Sequence, residues 1–249
     1  MDDIGLLRLQ MEWGADEALD NLPLDRLTPV SKPPAPVRMP VAPAPTIVAS
    51  PPADRALAAA GQAASILALR EAVAAFDGCP LRDTATNLVF ASGAPDARAM
   101  LVGDPPNADD DRSGQPFSGA DGRLLDEMLA SAGLSRDAFL LTPLLPWRPP
   151  GGRPAHASEV TVCLPFLHRL IALSGPRLLV IAGAQAVRAL VGVRPRAQGS
   201  ARTVDCRIPG LAEPVEAILL PFPATALRTA SARKEAWAAL RRVRRLMDA

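Results

Sequence analysis

Glycine, proline and a single aromatic residue are concentrated in segment 101–125, LVGDPPNADDDRSGQPFSGADGRLL. Proline fixes φ and glycine allows close backbone approach, so this loop can be rigid and still open to a flat ligand. Phe117 stands between glycines in the loop and offers a face for stacking. A planar ring such as a nucleobase is the ligand that such a face holds.

The same segment resembles the first motif of the iron-sulfur uracil-DNA glycosylases of the family-4 type, and later motifs follow in the same order. The matching residues are Gly103, Pro106, Asp111, Arg112, Gly114, Pro116, Phe117, Gly119, Gly122, Leu124, Leu125, Arg148-Pro149-Pro150-Gly151, Arg153-Pro154, Glu159, Cys163, Pro165-Phe166-Leu167, Gly183, Ala186, Leu227-Arg228, Lys234 and Trp237. The resemblance covers about 57–247.

The resemblance implies roles for residues of three loops. Asp104 replaces a family Glu and is the candidate catalytic carboxylate, with capping or turn stabilisation as its alternative role. The residues implied in base binding are Gly103, Pro106, Asn107, Phe117 and Thr142. Those implied in DNA binding are Arg148, Arg153, Pro223 and Arg228.

The elements predicted from the sequence alternate between strand and helix, which indicates a mostly parallel sheet covered on both faces. The fold class that we expect is therefore a three-layer α/β/α sandwich. Predicted strands are 87–91, 99–102, 139–145, 178–182 and 217–220, and predicted helices are 57–76, 122–132, 159–173, 184–191 and 231–247. The run Asp109 to Asp111 is expected to form a solvated edge that keeps the loop open.

Two family motifs depart from the pattern in this chain. The position of the family's base-reading Asn falls on Pro143, with Thr142 beside it as the nearby side chain able to hydrogen-bond. The family's His-Pro-Ser loop aligns with Phe222-Pro223-Ala224, which removes an imidazole that stabilises the departing uracil anion. Losing one such donor costs about 10² to 10³ in rate.

The resemblance also implies a 4Fe-4S cluster held by four cysteines. Cys79 and Cys163 match two of the ligand positions, but Phe76 and Trp147 stand at the other two, and Cys206 matches none. A 4Fe-4S cluster requires four ligands. We therefore expect no cofactor, with Cys79 and Cys163 as remnants of the site.

Composition adds weaker expectations. The net charge of +1 gives no general attraction to nucleic acid. No uninterrupted apolar run is long enough to span a membrane, so we expect a cytoplasmic, nucleoid-associated protein. Residues 1–27 are predicted to form a short amphipathic helix, either a loose tail or a docking peptide for a protein partner. Residues 28–56 are a Pro/Ala-rich linker, and residues 57–249 form the glycosylase-like domain.

Three functions remain open on the sequence. The first is a glycosylase-fold protein with lost or strongly reduced base excision that retains binding to DNA, single-stranded DNA included, or to protein. The second is a working DNA glycosylase with an altered substrate. The third is a scaffold that acts through its segment Met1 to Leu27.

Overall fold

A computed structural model describes residues 50–192 and 203–248. The predicted helix at 1–27 and most of the predicted linker lie outside these residues. The first described helix, α1 (Pro52–Gln62), begins inside the predicted linker, and its Ala56 is fully buried. The folded part of the chain therefore begins before the boundary predicted at residue 57. Pro52 opens α1, since proline fits well in the first turn of a helix.

A five-stranded sheet forms the centre of the fold, in the order β2-β1-β3-β5-β4. Its strands are β1 (Ala99–Gly103), β2 (Phe139–Pro143), β3 (Leu178–Ala182), β4 (Thr203–Cys206) and β5 (Val215–Leu220). Strand β4 runs antiparallel to β5, whereas the other neighbouring pairs are parallel.

Helices cover both faces of this sheet. Besides α1 they are α2 (Ile66–Ala75), α3 (Ala108–Ser113), α4 (Gly119–Ser131), α5 (Ala157–Ser174), α6 (Ala184–Val191), α7 (Pro223–Ala226) and α8 (Ala230–Met247). Buried residues of α1, α2, α5 and α6 pack on one face of the sheet and form the first core cluster. Buried residues of α4, α7 and α8 pack on the other face and form the second core cluster. The predicted three-layer α/β/α sandwich is confirmed.

Alternation along β1 separates the two clusters. Met100 and Val102 belong to the first cluster, and Ala99 and Leu101 to the second, since successive side chains of a strand point to opposite faces. The carboxyl ends of the parallel strands meet at one edge of the sheet. Ligands of open α/β sheets bind at that edge, and the glycine- and proline-rich loop after β1 begins there.

Three local predictions are wrong. The helix predicted at 57–76 is two helices, because the chain breaks after α1 and Ser65 caps α2 by accepting from the Ala68 N–H. No strand forms at 87–91, where the Val89 N–H bonds only to the carbonyl of Pro146 and the single bridge is Ser92 to Leu141. Strand β4 was not predicted, because its mostly exposed side chains lack an apolar pattern.

Helix α5, with 18 residues, is long and apolar enough to cross a membrane by length and composition alone. This finding qualifies our expectation that no segment would reach that length. Its residues Cys163, Phe166, Leu170 and Ile171 are buried in the first core cluster, as in the core helix of a folded domain.

Candidate functional site

A small cavity opens at the carboxyl edge of the sheet, where the loops after β1, β2 and β5 meet. It is lined by Asp104, Asn107, Asp110, Pro116, Phe117, Asp121, Pro143 and Phe222. Its volume is about 10 Å³, which is room for about one water molecule. A planar ligand must therefore displace a side chain to enter.

Phe117 has a strained backbone. With φ 54° it is the one non-glycine residue at positive φ among the described residues, a conformation that costs about 1–3 kcal/mol and needs support from its surroundings. A Cβ at Gly103 would overlap the Phe117 ring, and a Cβ at Gly122 would overlap the Phe117 carbonyl oxygen. Two glycines therefore make room for the ring and for the backbone that carries it.

Hydrogen bonds fix the same loop from both sides. The Asp110 carboxylate accepts from the Ser118 N–H at 2.6 Å and from the Asn107 N–H at 3.0 Å. Arg136 Nη2 donates to the carbonyls of Pro116 at 2.8 Å and Phe117 at 3.0 Å. The face of Phe117 is thus preorganised by a carboxylate and a guanidinium that lie outside the turn itself.

The prediction that Asp109 to Asp111 form a solvated edge is wrong. Asp110 and Asp111 are buried, and helix α3 begins here with an Asn107–Asp110 capping box. Asp111 accepts from the backbone N–H groups of Thr86 and Asn87. These carboxylates are buried because α3 and the neighbouring loop need acceptors for their backbone N–H groups.

Phe222 provides the opposite wall. Its ring stacks on that of Phe117, with centroids 6.3 Å apart and planes 25° from parallel. Phe222 is half-buried and immediately precedes α7. The cavity is therefore bounded by two nearly parallel aromatic faces.

Asp104 lies at the end of β1 and lines the cavity, but its Oδ1 accepts from the N–H groups of Gln185 and Ala186, each at 2.9 Å. Burial raises the pKa of Asp104, and the N–H groups at the start of α6 oppose that rise. A Cβ at Gly183 would overlap the carboxylate. Asp104 therefore caps the start of α6, which is its alternative role, and its side chain also lines the cavity.

Thr142 does not reach the Phe117 cavity. Thr142 lines a separate, mostly apolar cavity of about 20 Å³ beside Cys163 and Phe166, because β2 turns its side chain to the opposite face of the sheet. Pro143, the next residue, lines both this cavity and the Phe117 cavity. Of the other predicted base-binding residues, Asn107 lines the cavity. Gly103 and Pro106 are buried and are not among the residues that line it.

The predicted DNA-binding residues differ in what they contact. Arg153 forms a two-point ion pair with Glu159, at 2.6 and 2.9 Å, and holds the pKa of that carboxyl below its usual range. Pro223 is buried as the first residue of α7. Arg228 is exposed, and Arg148 Nε is buried with no hydrogen-bond partner among the described residues.

The implied cluster position brings two thiols together. Cys79 and Cys163 are buried with their sulfurs 3.6 Å apart. The contact with Cys79 and burial raise the pKa of the Cys163 thiol far above its usual range. Phe76 and Trp147 are buried in the same core cluster, and Phe76 packs edge-on against Phe166 at 5.1 Å. This set of side chains does not fit a group that needs four thiolates.

Among the described residues, no group of three or more His, Cys, Asp or Glu side chains is placed to hold a metal ion.

Sequence reasoning missed Asp110, Asp121 and Arg136 as parts of the site. The spacing Asn107-x-x-Asp110 is a capping-box signal and could have revealed α3. Arg136 reaches Phe117 from 19 residues away, and no local pattern indicates that contact.

Comparison with known proteins agrees with this geometry. The family model described as "Uracil DNA glycosylase superfamily" matches residues 90–241. The chain is 34% identical over 172 residues to a type-4 uracil-DNA glycosylase of Pyrobaculum aerophilum, a match that covers 67% of this chain and 87% of that protein. The type-4 uracil-DNA glycosylase of Sulfurisphaera tokodaii is 37% identical to this chain, over 48% of this chain and 54% of that protein. The type-4 uracil-DNA glycosylase of Archaeoglobus fulgidus is 41% identical, over 42% of this chain and 53% of that protein.

Proposed function

Because the chain belongs to the uracil-DNA glycosylase superfamily, we propose that it is a DNA-repair protein that binds an unpaired base against Phe117 and excises uracil at a strongly reduced rate. It prefers single-stranded to duplex DNA, since a base in a single strand need not be unpaired before it enters a pocket. We expect it in the cytoplasm, associated with the nucleoid.

The proposal depends above all on the stacking of Phe222 on Phe117, 6.3 Å between ring centroids. The resemblance places at Phe222 the histidine that stabilises the departing uracil anion. A phenyl ring has no N–H to donate, so the anion loses that stabilisation. One missing donor of this kind slows the reaction by about 10² to 10³.

The wall that faces a bound base supports the same conclusion. Pro143 occupies the position of the family's base-reading Asn and lines the cavity without a side-chain donor. The Asn107 amide is held within the protein, since its Oδ1 accepts from the N–H groups of Asp109 and Asp110 and its Nδ2 donates one N–H to Asp121.

We also propose that the chain folds without an iron-sulfur cluster. Phe and Trp each bury on the order of 150–250 Å², and at Phe76 and Trp147 they supply packing where two cysteines would supply ligands. The purified protein is then colourless, with less than one iron per chain after anaerobic purification. About four irons per chain, with the visible absorption of a cluster, would contradict this.

DNA contact in this proposal comes from individual arginines rather than from overall charge. Arg228 is exposed just beyond α7, and Arg148 follows the loop after β2 with no ion pair among the described residues. Arginine contacts to phosphates position a strand without reading its sequence. Binding is therefore weak, salt-dependent and largely independent of sequence.

The decisive experiment measures base release and binding on the same oligonucleotides. Single-stranded and duplex DNA with one uracil are incubated with the full chain, and release is followed by alkaline strand cleavage. The Pyrobaculum aerophilum relative serves as the positive control. We expect release at least about 10²-fold slower than by that relative. A rate within tenfold would contradict the proposal.

Binding is measured in parallel by fluorescence anisotropy. Phe117→Ala should weaken binding of a single strand by about fivefold or more, because stacking contributes about 1–3 kcal/mol per base. Leu67→Ala, an exposed residue of α2, is the matched control and should leave binding unchanged. If Phe117→Ala has no effect, the cavity does not bind bases.

A working glycosylase with an altered substrate is the second candidate, and the position of Asp104 in the cavity wall favours it. A carboxylate with a raised pKa beside a bound base can orient a water molecule. Any residual release should then be lost in Asp104→Asn while the protein stays folded. Release that persists in this variant would exclude Asp104 as the catalytic group.

A further inference from the structure

The polar side chains of the Phe117 cavity are almost entirely hydrogen-bond acceptors. Asp104, Asp110 and Asp121 contribute carboxylates, and the fourth polar residue, Asn107, uses both ends of its amide within the protein. Arg136, the basic side chain that contacts the Phe117 loop from just before β2, is engaged with two backbone carbonyls and with Asp126. Among the described residues, the cavity wall therefore carries three carboxylates against a single amide, and one N–H of that amide is already donated to Asp121.

Such a wall is a poor match for uracil. The pairing edge of uracil carries one N–H between two carbonyl oxygens, and the base departs as an anion. A carbonyl oxygen that faces a carboxylate gains no hydrogen bond from it, which is costly inside a protein, and an anion is repelled by it. A ligand with more N–H groups, or one with a positive charge, is attracted to the same carboxylates.

The two phenyl rings favour the same kind of ligand independently of the carboxylates. The two rings line the same cavity, with centroids 6.3 Å apart and planes 25° from parallel, so a planar ligand that enters the cavity meets at least one aromatic face. Phe222 is only half-buried, and its outward movement would widen the cavity. The face of an aromatic ring is negative and attracts cations, most strongly where water is excluded.

From the paired rings and the carboxylate-rich wall, we propose that this cavity selects positively charged, N-alkylated nucleobases over neutral ones. The inference rests on the proposed function, since it assigns a ligand class to the same base-binding site. N7-methylguanine in a single strand is the representative ligand. Its ring carries a formal positive charge, and its amino and imino N–H groups can donate to the carboxylates of Asp104 and Asp121.

The test compares single strands of identical sequence with N7-methylguanine, guanine or uracil at one central position. Anisotropy titration of the full chain should give a dissociation constant about five- to tenfold lower for the N7-methylguanine strand than for the guanine strand. Asp121→Asn should bring this ratio to within twofold of one. Glu127→Gln removes an exposed carboxylate from the same helix, α4, and should leave the ratio unchanged.

Phe222→Leu is a second variant that keeps an apolar side chain but removes one aromatic face, and it should also lower the ratio. Circular dichroism confirms that each variant is folded, and Asp104→Asn replaces Asp121→Asn if the latter is not.

A wild-type ratio near one, with both strands bound and both sensitive to Phe117→Ala, overturns this inference and leaves the proposed function intact. An undiminished ratio in both carboxylate variants also overturns it. If no strand binds at all, the inference and the proposed function fail together.

Discussion

The ring of Phe117 packs directly against the Cα of Gly103, the last residue of β1, and leaves no room there for a Cβ. This contact places an aromatic face at the carboxyl edge of the sheet, at the point where β1 passes into its loop. The position of the ring thus depends on a strand residue that touches no ligand.

Gly103→Ala tests that dependence. The added methyl group must push the Phe117 ring aside or shift β1, so unfolding should become about 1–3 kcal/mol easier, and single-strand binding should weaken as in Phe117→Ala. Chemical denaturation and anisotropy measure the two effects. Gly61→Ala in α1 has open space around it and should instead stabilise the protein by about 0.5–1 kcal/mol. Unchanged DNA binding in Gly103→Ala would show that the ring position is not fixed by this contact.

Much of the fold follows from apolar runs that end in glycine or proline. The strand Leu178–Ala182 and the helix Ala184–Val191 were predicted with the bounds that the structure shows, because a fully apolar run stops at Gly183 and a helical pattern follows. The edge strand β4 has two of its four residues exposed and carries no such signal.

The site was predictable only in part, for the same physical reason. Phe117 could be recognised because glycines and prolines around a ring form a local pattern. Thr142 was misplaced because the sequence does not give the phase of β2, and one residue of difference moves a side chain to the other face of the sheet. The Arg136 contact joins distant segments and appears only once the chain is folded.

Trp147→Ala tests whether Trp147, which stands at a cluster-ligand position implied by the resemblance, is part of the core. Trp147 is 3% exposed, so removing its ring leaves a cavity and should lower the free energy of unfolding by about 3–5 kcal/mol. Trp237→Ala is the matched control, because Trp237 is 45% exposed and its loss should cost less than about 1 kcal/mol. Equal losses in the two variants would mean that Trp147 does not act as a core residue.

The ion pair between Arg153 and Glu159 predicts a pH-dependent stability. Arg153 holds the folded-state pKa of Glu159 below its usual range, so the stabilisation is present above the unfolded pKa of about 4.3 and is lost as pH falls through the folded value. Arg153→Met should therefore lower Tm at pH 7, and the difference from wild type should shrink below about pH 4.

Arg112→Met removes an exposed ion pair with Asp109 and serves as the control, with little change in Tm at either pH. A Tm difference for Arg153→Met that is the same at pH 7 and pH 3 would assign the effect to packing of the arginine stem rather than to charge.

Arg228→Ala separates phosphate contact from base stacking. Each phosphate contact to a single strand adds about 0.7 to the slope of log Kd against log salt concentration. Arg228→Ala should therefore flatten that slope by about this amount, whereas Phe117→Ala should weaken binding equally at every salt concentration, because stacking releases no counterions. Arg98→Ala is the control, since Arg98 is exposed just before β1, at the edge of the sheet opposite the cavity. The salt slope of Arg98→Ala should equal that of the wild type. If the slope of Arg228→Ala is also unchanged, Arg228 does not contact the DNA backbone.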